Sequence, residues 1–160
     1  MIYIIGDVMK FLFLLLPLLL FGDIDLARSM IKQHEGFRST PYIDCNHFSV
    51  GYGTNLKYGI TKTEAELLLN YRLLRVHSEL NQYSWYYLQS PLRQAVLLDM
   101  GYNLGVSKLL KFRTMIWCLD KHFYHAAANA MRRSLWCKQV GSRCKDLCNI
   151  MWFNELNKGL

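Results

Sequence analysis

Between His34 and Thr61 the chain drops a helical pattern and then takes it up again, and that interruption restricts the folds open to it. Before it, Asp25 to His34 reads as a short helix, with Leu26, Met30 and Ile31 on one face and Asp25 able to cap it. Gly36 supplies the stop. From Pro41 to Ile60 the residues are Tyr, Ile, Phe and Val broken by Gly and Asn, the composition of a small antiparallel sheet. Thr61-Lys62-Thr63-Glu64 is a capping box. Ala65, Leu68, Leu69, Leu73, Val76 and Leu80 then recur at helical spacing and predict one long helix with these residues in the core.

Ser90-Pro91 pairs a cap with proline at the first helical position, starting a helix through Leu92, Val96 and Met100 to a stop near Gly105. Shorter helices are expected around Thr114 to Asp120 and His122 to Arg133, and one or two more in the Trp- and Cys-rich tail. The sum is an α+β fold: a small sheet-bearing lobe, a long helix, and a mostly helical lobe. A cleft between two such lobes is where an extended ligand is expected.

The interrupted stretch also sets out two carboxyl groups. Glu35 ends the first helix and Asp44 opens the hairpin, on two elements joined by Gly36-Phe37. Cleaving a glycosidic bond needs such a pair: one carboxyl protonated to supply the leaving oxygen, one ionised to activate water or stabilise the cationic sugar. An acid pair at this separation is usually solvated surface. The residues around it narrow the reading.

Glu35-Gly36, Pro41-Tyr42-x-Asp44 and Ser49-Val50-Gly51-Tyr52-Gly53 occur here in that order. They are followed by Gly59-Ile60-Thr61-x-x-Glu64-Ala65, Tyr102-Asn103-x-Gly105, and Trp136 seven positions before Arg143. This ordered set, from about Ala27 to Met151, resembles the phage-type lysozymes, a family of glycoside hydrolases. The resemblance implies a muramidase without cofactor or metal, one that cuts the bond between N-acetylmuramic acid and N-acetylglucosamine in peptidoglycan, usually with inversion. It makes Glu35 the general acid, with apolar Phe37 and Tyr42 expected around it, and Asp44 the carboxylate that orients or activates water. Ser49 stands where the family usually has Thr, whose hydroxyl helps hold that water. Asn103 falls where a polar residue faces the sugar, and Arg143 where an arginine pairs with the acidic catalyst. The chain departs from the family between Asp44 and Ser49, with four intervening residues where five are common. An ångström of displacement there matters for catalysis.

Phe11 to Phe21 is an unbroken apolar run behind Met9-Lys10, of a length that suits the core of a secretory signal. It is too short to span a bilayer comfortably. Residues 1–24 are therefore expected to be an export signal or signal-anchor that touches the membrane transiently, and residues 25–160 the catalytic domain. The product would be an exported monomer, periplasmic or extracellular. Positive charge is concentrated late in the chain: residues 81–160 hold eleven Lys and Arg against four Asp and Glu. Such a field draws polyanions. No nucleic-acid motif accompanies it, so wall polymer is the expected partner rather than nucleic acid.

Five cysteines (Cys45, Cys118, Cys137, Cys144, Cys148) lie beyond the apolar run, which permits disulfides after export and leaves at least one thiol over. Their pairing is open at this point. Cys45 follows Asp44, so a bond there would pin the catalytic turn; a packed free thiol is the simpler expectation. His34, His47, His77, His122 and His125 show no ligand spacing. Two other readings compete: a lytic transglycosylase, which can work with a lone Glu, and a wall-binding or membrane-active protein whose shortened Asp44 loop has lost hydrolysis.

Overall fold

The computed structural model of the protein describes residues 22–44 and 46–156. The expectations for Cys45 and for the apolar run from Phe11 to Phe21 lie outside the described residues. The architecture is α+β as the sequence predicts, mostly helical with one three-stranded antiparallel sheet. The chain divides into two units at the Thr61–Lys62 junction. Among the described residues no helix is long and apolar enough to cross a membrane.

The first unit opens with helix α1 (Gly22–Glu35). It starts three residues earlier than expected, so Asp25 lies inside the first turn. Its carboxylate accepts from the Arg28 guanidinium one turn on rather than capping the helix end. Leu26, Met30 and Ile31 are all at least half exposed, so the predicted apolar face of α1 is not a packed core face. Gly36 stops the helix at φ +65°, a conformation that glycine adopts without strain.

Strands β1 (Arg38–Asp44), β2 (His47–Gly51) and β3 (Thr54–Asn55) follow in sheet order. Asp44 pairs with His47, Ile43 with Phe48 and Tyr42 with Ser49, so β1 and β2 are paired up to the turn that holds Asn46. Asn46 takes φ +73° in that turn, where asparagine is well tolerated. The register shifts between Arg38 and Tyr42, the stretch that carries Pro41 with its missing N–H. Paired residues share a face of the pleat, so Tyr42, Asp44, His47 and Ser49 lie on one side, with Asn55 opposite Ser49. The other face, with Ile43 and Phe48, is exposed.

The second unit is helical: α2 (Lys62–Leu80), α3 (Ser84–Tyr87), α4 (Pro91–Leu104), α5 (Val106–Leu109), α6 (Arg113–Asp120), α7 (Tyr124–Arg132), α8 (Leu135–Val140) and α9 (Ser142–Phe153). Ser90 caps α4 by accepting the Arg93 N–H at 3.4 Å, with Pro91 next to it as the sequence predicts. The helix expected from His122 starts two residues later, because His122 itself is left-handed at φ +57°. Tyr86, Leu97, Met100, Leu109, Leu119, Met131 and Met151 make the centre of the core.

The apolar stripe of α2 is only partly core. Leu80 is fully buried, and Leu73 and Val76 are half-buried, but Ala65, Leu68 and Leu69 are exposed. The reason is where α4 meets it. A Cβ on Gly101 of α4 would stand 2.7 Å from Val76 Cγ1, so the two helices come together tightly at that level. Leu69 and Leu73 instead border an open apolar pocket of about 340 Å³, with Leu98 and Tyr102 on its far side.

Candidate active site

Two groups of candidate residues sit in the two units. In the first, Glu35 is the last residue of α1, and its exposed carboxylate lies over the β2–β3 turn. A Cβ built on Gly53 would meet Glu35 Oε2 at 2.9 Å and its Cδ at 3.2 Å. Gly53 also has φ +74°. The turn therefore favours glycine for its backbone, and an added methyl group would displace the carboxylate from its place over the turn. The apolar enclosure expected for Glu35 is not what the structure shows. Phe37 is 66% exposed and packs on Tyr52 with ring centroids 5.4 Å apart, while Tyr42 lies under the Arg38 guanidinium at 4.4 Å. Phe37 thus packs on another ring and Tyr42 on a nearby cation, and neither encloses the exposed carboxyl group.

Asp44 is exposed at the end of β1, diagonal to Ser49 on the same sheet face. The turn that is one residue shorter than the family norm thus still directs both side chains to one side. Ser49 is 1% exposed, yet among the described residues its Oγ has no hydrogen-bond partner. A buried hydroxyl without a protein partner is a group that an ordered water or a bound ligand can complete.

In the second unit Asp99 and Asn103 stand one helical turn apart on α4, and so on one stripe of it. The Arg143 Nε donates to Asp99 Oδ1 at 2.8 Å. The Trp136 Nε1 donates to Asn103 Oδ1 at 2.8 Å. The exposed Asn103 is thereby oriented by an indole that is itself 4% exposed and packed edge-on against Phe112. Asp99 is the residue that sequence reasoning missed, and for Gly53, read there as a glycine that allows close backbone approach, it missed the contact with the Glu35 carboxylate. The spacing of Asp99 to Asn103 was a visible signal; that of Gly53 to Glu35 was not, since it depends on how α1 folds back on the turn.

Cys137 and Cys144 form a disulfide, while Cys118 and Cys148 are buried free thiols. Burial pushes the Cys148 thiol above its ordinary pKa, against the lowering effect of nearby Arg132. The histidines have local roles: His77 bonds the Tyr86 hydroxyl at 2.8 Å and His125 stacks on Trp152 at 4.2 Å. Among the described residues no cluster of His, Cys, Asp or Glu is arranged to hold a metal.

The family model described as phage lysozyme matches residues 32–149, about three-quarters of the chain, and takes in every candidate residue above. The chain belongs to the phage lysozyme family. It is accordingly a glycosidase of the lysozyme type that breaks down peptidoglycan. A search of curated proteins found no match. The match runs from the last turn of α1 into α9, so the family covers residues of both units.

Proposed function

We propose that the chain is a muramidase, which hydrolyses the β-1,4 bond between N-acetylmuramic acid and N-acetylglucosamine. Glu35 gives its proton to the glycosidic oxygen. Asp44, ionised, orients the attacking water and takes up its proton, and the Ser49 hydroxyl holds that water from the neighbouring strand. Asn103 and Arg143 face the glycan. The observation that carries this reading is Ser49, a buried hydroxyl without a partner among the described residues, on the sheet face it shares with Asp44.

That observation has a testable corollary. Ser49→Ala removes the hydroxyl proposed to hold the water and leaves the rest of the strand unchanged, so the variant should unfold at close to the wild-type temperature while losing wall-clearing activity by about tenfold or more. Thermal unfolding and turbidity clearing of purified walls measure the two effects. A variant that is equally active, whatever its stability, removes Ser49 from the mechanism. The products decide between hydrolysis and transglycosylation. Reducing-end muramic acid is expected, and 1,6-anhydro ends would overturn the hydrolytic assignment.

We also propose that the Phe11 to Phe21 run exports the enzyme to the wall. Support comes from its length, its Lys10 flank and a substrate that lies outside the cytoplasm. A lysine at Leu16 should block insertion, since a charge at the middle of an inserted helix costs about 2.5–3.5 kcal/mol. Cell fractionation should find Leu16→Lys in the cytoplasm, and recovery from the periplasm would refute the export claim.

A further inference from the structure

The two polar bonds that hold the α4 residues come from side chains standing directly before the two halves of the disulfide. Trp136, bonded to Asn103, precedes Cys137; Arg143, bonded to Asp99, precedes Cys144. We infer that the Cys137–Cys144 disulfide is a positioning clamp for glycan binding, which fixes Arg143 and, through Trp136, Asn103. This inference rests on the reading of Asn103 and Arg143 as glycan-facing residues.

The corner between α8 and α9 is tied to the core at its ends, by Trp136 and the half-buried Val140 on one side and Cys144 on the other, and the residues between are exposed apart from Arg143. One residue, Gly141, joins the helices, at φ 59° and ψ −117°, a region of backbone space open essentially to glycine. Lys138, Gln139, Gly141 and Ser142 are exposed, so no packed side chain from these four fixes the angle of the corner. A Cβ on Gly141 would touch nothing within 4 Å. On the α9 side core contacts begin at Cys144, Leu147 and Cys148, after Arg143. The disulfide holds the two Cα atoms at 5.1 Å across this corner and removes the freedom that the glycine allows. The half-buried Arg143–Asp99 pair, with a second bond from Arg143 to the Asp99 carbonyl, is worth on the order of 1 kcal/mol and does not by itself hold a helix end.

Cys148 constrains how the clamp can be tested, because its thiol lies 3.5 Å from Cys144 Sγ. Removing Cys137 alone would let Cys144 and Cys148 pair. The informative variant is therefore Cys137→Ala/Cys144→Ala, compared with the oxidised wild type and with wild type treated under native conditions with a phosphine reductant, which reaches the half-exposed Cys137. The reduced wild type serves if the double variant folds poorly. Peptidoglycan hydrolysis and the exchange protection of the Trp136 indole N–H, read by NMR, are measured on folded protein. Loss of the clamp should lower kcat/KM about tenfold, mostly by raising KM, and should release the indole proton to exchange. Arg143→Ala should cost about tenfold in the oxidised protein and less than twofold once the clamp is gone, since the two changes then remove the same positioning. An unchanged KM and a protected indole in the unclamped protein, with Arg143→Ala still costly, would overturn the clamp alone. If Arg143→Ala and Asn103→Ala are both silent in the oxidised enzyme, the glycan-binding reading itself falls, and the clamp with it.

Discussion

Glu35→Gln is expected to lower hydrolysis of purified cell walls by a factor of about 10²–10⁴ while leaving the fold intact. The amide has the shape of the carboxyl group but cannot deliver a proton to a leaving oxygen. Its surroundings should accept the change. Glu35 is exposed at the last position of α1, and the close approach to Gly53 is a contact of shape that glutamine can reproduce. Circular dichroism and thermal unfolding should match wild type, and release of soluble reducing sugar should nearly vanish. Purified walls are the right substrate, because they separate hydrolysis from membrane damage. A variant that clears them at the wild-type rate would show that Glu35 is not the acid, and would favour a protein that binds walls or disturbs membranes without cutting glycan.

Gly53→Ala should be almost as damaging, although Gly53 does no chemistry. The added methyl would stand 2.9 Å from the Glu35 carboxylate oxygen, and the residue would be held at φ +74°. Either the carboxylate or the turn must move. A misplacement of about 1 Å can cost about 10² in rate, so a fall of that order is expected in kcat. KM should change much less, since the proposed glycan-facing side chains belong to the other unit. The strain should also cost about 1–2 kcal/mol of stability, visible in the thermal midpoint. Wild-type kcat in a folded Gly53→Ala variant would mean that the carboxylate is not held where it acts. Together with Glu35→Gln, this variant separates the need for a proton donor from the need to place it.

What the sequence determined by itself was the order of elements and the family. Helix stops at Gly36, caps at Thr61 and Ser90, and alternating aromatic strands between them are local signals. They act through backbone conformations that a few neighbouring residues dictate. The short motifs that carry Glu35, Asp44, Ser49, Asn103 and Arg143 are equally local, and the family match covers all of them. Tertiary structure decided the surroundings. Phe37 was expected beside Glu35 but lies on Tyr52; Leu68 and Leu69 were expected in the core but are exposed. Burial depends on which partner surface arrives, and helical periodicity gives a face without saying how far along it the neighbour reaches. The pairing of Cys137 with Cys144 was likewise not deducible from spacing, since it required the reversal at Gly141 to bring the two together. Arg143 meeting Asp99 and Trp136 meeting Asn103 are contacts across more than thirty residues. No local rule reaches that distance, because it is the packing of α8 and α9 on α4 that selects such pairs.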